Sequence, residues 1–332
     1  MENRKKGYLF VHFTGESPEG EQVYYALSRD GLHWQDLNGQ KPVIRWKAGE
    51  KGVRDPFIVR SVIDGKFYII ATDLRIVNGK GWTAAQMEGS TKIVIWCSTD
   101  LVNWSETWTF ETGVPGAGCA WAPEAVYDPE KEAYLVFWAS MTKETGDAAH
   151  KQRIYSAYTR DFKEFTAPEK YIEREHHVID TTIVEEAGVF YRFSKDETTK
   201  KVRMDRGTSL QGEFTEMDAE TLNVLMGVEG PAAFSIGEEG EWCLMVDRFA
   251  EGLGYLPLIC TSLEKGDFKV AEPGDYHMGD VCKRHGSVLV LKEEEYERLQ
   301  TCFGNKISER QVTGTSCQTV CLAAHRHRFE RG

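Results

Sequence analysis

Ser28-Arg29-Asp30 followed by Trp34, Ser98-Thr99-Asp100 followed by Trp104, and Thr159-Arg160-Asp161 followed by Phe165 are three copies of one unit. In each, a β-rich run ends in Ser or Thr, an acidic residue stands two positions on, and an aromatic closes the unit. Degenerate copies stand at Ser209 with Phe214 and at Ser262-Leu263-Glu264 with Phe268. The closing aromatics are 70, 61, 49 and 54 residues apart, so the chain carries five copies. A repeat of this length decides the architecture before any local reading does.

Working outward, each copy is preceded by strand-like residues at 22–27, 92–97, 153–158, 201–206 and 256–261. Further upstream lie more apolar runs at 7–14, 66–73, 133–140, 189–196 and 241–248. A third set is small and apolar: Asp55-Pro56-Phe57-Ile58-Val59, Ala122-Pro123-Glu124-Ala125-Val126, Asp180-Thr181-Thr182-Ile183-Val184, Glu229-Gly230-Pro231-Ala232-Ala233 and His285-Gly286-Ser287-Val288-Leu289. A lone sheet of three or four strands cannot bury both faces until neighbours stack on it, and five such units predict an all-β, five-bladed β-propeller. The chain begins with outer strands that lack an inner one and ends with an inner strand, His285 to Leu291, that lacks outer ones. N- and C-terminal segments are therefore expected to complete one blade together, which removes an open edge. A short charged helix is expected over residues 292–300, capping the ring. Residues 1–300 read as the propeller and 301–332 as a tail, in which Cys317, Cys321, His325 and His327 superficially resemble a zinc ligand set of unconventional spacing.

Of 332 residues, 41% are hydrophobic, an ordinary globular proportion. The formal net charge of −12, without a long basic run, repels nucleic-acid phosphates and anionic membranes, so neither is expected as a partner. No apolar stretch approaches the ~20 residues that span a bilayer. Eight cysteines at irregular spacings read as free thiols rather than a disulfide framework. The expectation is a cytoplasmic protein, or a secreted one whose leader has been removed.

The innermost strands of a propeller converge on its axis, and here they open with Asp55, Trp121 and Glu124, Asp180, Glu229 and His285. Three blades thus offer a carboxylate at an equivalent place, Asp55, Asp180 and Glu229, in a shared register facing one funnel. Two carboxylates about a glycosidic bond are the minimal machinery for its hydrolysis, one donating a proton and one activating water. A third nearby raises the pKa of the acid by like-charge repulsion. Trp121, Phe193 and Trp82 are candidates to stack on a sugar ring.

Asp55-Pro56, Trp121-Ala122-Pro123-Glu124, Ile179-Asp180 and Glu229-Gly230-Pro231, in that order on a five-fold repeat, resemble glycoside hydrolase family 43 over residues 7–291. The resemblance implies an inverting hydrolase acting on a pentose-containing plant polysaccharide or oligosaccharide, with α-L-arabinofuranosidase as the first expectation. It implies Asp55 as general base, Asp180 as the carboxylate that tunes and orients the acid, and Glu229 as general acid. His285 matches a histidine that in many members sits near a hydrated calcium or other ion on the axis, through water. No cofactor is required for the chemistry. One departure stands out: Asp180 is followed by Thr181, where the family commonly has Pro. Arg248 is a candidate to reach a sugar hydroxyl across the funnel.

The same resemblance leaves β-xylosidase and galactan-cleaving activities open, since loops around the funnel, here 75–91 and 140–152, separate them. Arg54-Asp55-Pro56 also resembles a triplet of the retaining, fructan-cleaving families, but their Asn-Asp-Pro and Glu-Cys motifs are absent from this sequence. A propeller that binds glycan or protein without catalysis is the third alternative, because a fold does not fix a function.

Overall fold

The computed structural model describes residues 7–105, 107–237 and 240–304. Five four-stranded antiparallel sheets follow one another around a ring. Blade 1 runs from Val53–Arg60 at the axis through Phe67–Asp73 and Lys92–Ser98 to Trp108–Glu111 at the rim. Blade 2 is Trp121–Asp128, Ala133–Thr142, Lys151–Thr159 and Glu169–Ile172; blade 3 is Val178–Glu186, Val189–Asp196, Lys201–Gly207 and Thr215–Glu216. Blade 4 is Glu229–Ile236, Glu241–Asp247, Tyr255–Cys260 and Lys269–Val270. In blade 5 the inner strand Arg284–Leu291 comes from the end of the chain and pairs with Gly7–Phe13, which continues through Tyr24–Ser28 to Trp34–Asp36. An early and a late segment of the chain therefore close the ring through one sheet, as the phase of the repeat predicts.

The second strand of each blade is buried over most of its length because each face meets a neighbour. Phe67–Asp73 and Ala133–Thr142 are buried at every position, so their sequences lack the alternation of a half-exposed strand. Five large apolar clusters fill the gaps between blades. Tyr68, Ile70 and Ile95 meet Tyr134 and Trp138 between blades 1 and 2, and Leu9, Val11 and Tyr25 meet Ile69 and Trp96 where blade 5 meets blade 1.

The repeated Ser/Thr-x-Asp signature is the turn from the third strand to the fourth. Ser98 Oγ accepts the Leu101 N–H at 2.9 Å, and Asp100 Oδ1 accepts those of Val102 and Asn103 at 2.9 and 2.7 Å. Ser28 with Asp30 and Thr159 with Asp161 repeat the pattern. These side chains satisfy turn amides that the sheet cannot.

Among the described residues there are three α-helices. α1, Trp82–Met87, and α2, Glu220–Val224, lie in loops that periodicity leaves unassigned. α3, Glu293–Phe303, runs three residues further than the sequence suggests and seats Tyr296 and Leu299 in the cluster between blades 5 and 1. The six described cysteines are free thiols. The tail motif of Cys317, Cys321, His325 and His327 lies outside the described residues. No helix among the described residues is long and apolar enough to cross a membrane.

Candidate active site

Every inner strand begins with the same irregularity. Arg54, Trp121, Ile179, Glu229 and Arg284 pair with Thr72, Ala139, Lys195, Asp247 and Phe13 in the closing parts of their second strands, and the register then slips. The next residue is bulged and left-handed in four blades: Asp55 (φ 52°), Ala122 (47°), Asp180 (48°) and Gly230 (53°). In the fifth, that place belongs to His285. Bulges at strand ends re-aim side chains, and Asp is among the residues that tolerate a left-handed conformation. Thr181 after Asp180 does not change this geometry, since Asp180 matches Asp55 within a few degrees.

The structure corrects one expectation of register. Asp55 and Asp180 occupy equivalent bulge positions, but Glu229 stands one residue earlier, equivalent to Arg54 and Arg284. The bulge position of blade 4 is Gly230, packed so tightly on the axis that a Cβ there would lie 2.7 Å from the His285 ring. No side chain fits, so the blade's carboxylate enters from the residue before.

His285 brings the aspartates together. Its Nδ1 lies 3.5 Å from Asp55 Oδ1 and 3.8 Å from Asp180 Oδ1. Thr72 Oγ1 donates to Asp55 Oδ2 at 2.9 Å, and Asp180 Oδ2 accepts the Gly230 N–H at 3.2 Å. The buried Tyr255 hydroxyl accepts the Gly286 N–H at 3.0 Å and donates to Gly230 O at 2.8 Å, tying the last two inner strands together below them. Burial pushes the Asp180 carboxyl up to about 6, with Glu229 and Asp55 adding to the rise and His285 and Lys195 opposing it.

Glu229 is held between two cations. Lys195 Nζ donates to its Oε2 at 2.7 Å and Arg284 Nη2 to its Oε1 at 3.1 Å. Burial alone would raise this carboxyl, but Lys195 and Arg284 overcome it and hold it down at about 2. Arg284 is fixed in turn by Asp247, whose Oδ2 accepts from Nε at 2.6 Å. Lys195, Arg284 and Asp247 carry no motif that marks them as site residues in the sequence. Glu124, on the second inner strand, is buried, and burial raises its carboxyl well above the usual range.

Around this centre stand the expected aromatics, with one exception. Trp82 on α1 and Trp121 are partly exposed and meet edge to face at 6.0 Å, and the Arg54 guanidinium lies 4.9 Å from the Trp82 ring. Phe193 is fully buried between blades 3 and 4, edge-on to Phe268, because its strand position faces the neighbouring blade; it is a core residue and not a sugar contact. Arg248 is partly exposed, and its guanidinium donates to the carbonyls of Gly254 and Leu253 at 3.3 and 3.4 Å in its own turn. The loop after the second strand of blade 2 is braced by buried Arg153, which binds Thr142, Asp147 and Glu173. Among the described residues no three His, Cys, Asp or Glu side chains are arranged to ligate a metal directly.

A five-bladed propeller with carboxylates from three blades gathered at its axis defines a class, the propeller glycosidases. The chain belongs within it to the family described as a probable glycosyl hydrolase domain, related to glycoside hydrolase family 43, which matches residues 3–297. An α-L-arabinofuranosidase of Bifidobacterium longum subsp. longum is 31% identical over 290 residues, covering 74% of this chain and 27% of the relative. The chain thus spans about a quarter of the length of that curated relative. Among solved structures, an endo-1,4-β-xylanase of Bacteroides thetaiotaomicron superposes with a TM-score of 0.56 at 13% identity, covering 86% of this chain and 94% of that one. The catalytic domain of a Coprinopsis cinerea GH62 α-L-arabinofuranosidase does so with 0.51 at 17%, covering 74% and 76%. At these identities the likeness is one of fold.

Proposed function

We propose that the protein is an inverting α-L-arabinofuranosidase acting on pentose-containing plant oligosaccharide or polysaccharide. Asp55 is the general base that activates water, Glu229 the general acid that protonates the leaving oxygen, and Asp180 the carboxylate that orients the acid and tunes its proton affinity. The observation that carries this reading is the gathering of Asp55 and Asp180 about His285, with Glu229 on the inner strand of the neighbouring blade, packed against that of His285. The arabinofuranosidase relative supports the choice of glycone. Trp82 and Trp121 supply an apolar shelf for the sugar face. A hydrated calcium facing His285 is part of the same proposal, adding positive potential beside the two aspartates.

Hydrolysis of nitrophenyl α-L-arabinofuranoside and of an arabino-oligosaccharide, compared with the corresponding xylosides and galactosides, tests the reading. Asp55→Asn should abolish turnover of both arabinosides. Glu229→Gln should lose roughly 10²–10⁴-fold on the oligosaccharide and much less on the nitrophenyl substrate, whose leaving group needs little protonation. The first-formed sugar, followed by NMR, should carry the inverted anomeric configuration. Turnover confined to another glycone would replace the substrate assignment, and no turnover on any of them would remove the catalytic one.

A further inference from the structure

We infer that Lys195 is a shared counter-ion whose balance between Glu229 and Glu197 sets whether Glu229 stands as a bare carboxylate or as a proton-carrying acid. The inference rests on Glu229 being the general acid. That role demands a protonated carboxyl, yet at rest Glu229 is clasped by Lys195 and Arg284, two cations that favour its ionised form. One of them must loosen for the acid to load.

The two cations differ in their freedom to do so. Arg284 is fixed by Asp247, which is wholly buried and binds it at 2.6 Å. Its planar fork is matched to that site. Lys195 is instead a flexible point charge with two partners already in place: its Nζ lies 2.7 Å from Glu229 Oε2 and 2.7 Å from Glu197 Oε2. The Phe249 ring, 4.2 Å from Nζ, covers another side, and the side chain is 3% exposed. An ammonium in that position cannot leave for solvent, but a shift of a fraction of an ångström transfers it from one carboxylate to the other. Glu197 is suited to receive it, being 31% exposed and also paired to Lys200. As Lys195 moves outward, Glu229, open to the funnel at 18% exposure, takes a proton from hydronium or a buffer acid in the solvent there, whose conjugate base stays in solution. The ammonium keeps its charge throughout, so the only species exchanged is that proton.

Lys195 is thus a positioning residue, and the test is the pH dependence of kcat/KM, whose basic limb reports the acid of the free enzyme. Lys195→Met should move the basic limb up by about 1 to 3 pH units, because the cation that favours the carboxylate is gone. Glu197→Gln should move it down, because the lysine is left to Glu229 alone. Lys195→Arg should restore the wild-type limb in part by keeping the charge. Opposite shifts in the first two variants are the expected result. Lower rates at every pH with the limb unmoved would overturn the inference and leave Lys195 a packing residue. Should Lys195→Met fail to fold, the direction of the Glu197→Gln shift decides alone. Should the native protein hydrolyse no glycoside, the proposed function fails separately, and ¹³C-carboxyl NMR titration of Glu229 in the same variants still decides whether the two glutamates share the lysine.

Discussion

Asp180 and Glu124 have their carboxyls raised by the same cause, burial, and the consequences differ with what surrounds them. Asp180 lies beside Glu229, the proposed acid. Once ionised above about 6, its charge makes Glu229 harder to deprotonate, so Asp180→Asn should lower kcat and move the basic limb of kcat/KM to lower pH. Asn tolerates the left-handed backbone that position 180 requires, so the variant should keep its fold, which circular dichroism checks. Glu124 carries instead a stability cost. Its folded pKa lies above the unfolded value, so the folded protein binds the extra proton, and stability is lost as pH rises above the usual carboxyl range, by up to about 1.4 kcal/mol per pH unit for one group. Glu124→Gln removes that dependence while keeping the shape. It should be at least as stable as the native protein at pH 7 and lose the advantage toward pH 4, as denaturant midpoints across that range would show. A variant less stable at every pH would mean that the site depends on the carboxylate.

At the scale of the strand, the bulge does most to make the site, and it does so by a contact rule between blades. In four of the five blades a residue at or next to the end of the second strand reaches forward to the next inner strand: Thr72 to the Ala122 N–H at 2.8 Å, Lys195 to Glu229, Asp247 to Arg284, and Phe13 under the Arg54 guanidinium at 4.4 Å. Thr72 bridges both duties, since the same hydroxyl donates to Asp55. Thr72→Val, nearly isosteric, orphans a buried N–H and should cost about 1–3 kcal/mol. It should also lower kcat by releasing Asp55, whereas a change at the exposed turn residue Val62, which is 68% exposed, should do neither. Thermal melts and steady-state kinetics read the two effects separately. This rule also explains what the sequence made legible. Asp55-Pro56 and Glu229-Gly230-Pro231 announce themselves by turn chemistry, and the Ser/Thr-x-Asp turns by spacing, so the blades and the three carboxylates could be found. Lys195 looks like any charged residue ending a strand. Only superposing the repeats at their second strands, where it falls level with Thr72, Asp247 and Phe13, marks it as facing the axis. Phe193 misleads for the converse reason: an aromatic on a strand near the axis looks the same whether it faces the funnel or the next blade.

For the whole molecule, closure is the property on which everything else depends, because a ring has no stable partial form in which each blade keeps both neighbours. The joining sheet is built from Gly7–Phe13 and Arg284–Leu291, paired from Gly7 with Leu291 to Phe13 with Arg284. Ser287 latches it to blade 1, its Oγ accepting the Ile58 N–H at 2.8 Å. α3 then seals the outer end: Leu299 is fully buried among Leu9, Leu27 and Trp96, and Arg29 lies 3.5 Å from the Tyr296 ring and pairs with Glu293. The exposed ion pairs add little, so the seal is chiefly apolar. Leu299→Ala should therefore cost about 2–5 kcal/mol, well beyond what a surface position on a short helix would lose. Because blade 5 holds blades 1 and 4 in place, the loss should appear as one cooperative transition at lower temperature, and calorimetry distinguishes this from a small early transition of the helix alone. Turnover below the new midpoint should match the native protein, since Leu299 lies on the seam and the carboxylates gather at the axis. A separate early melt with the main peak unmoved would show that α3 is an appendage and that the sheet alone closes the ring.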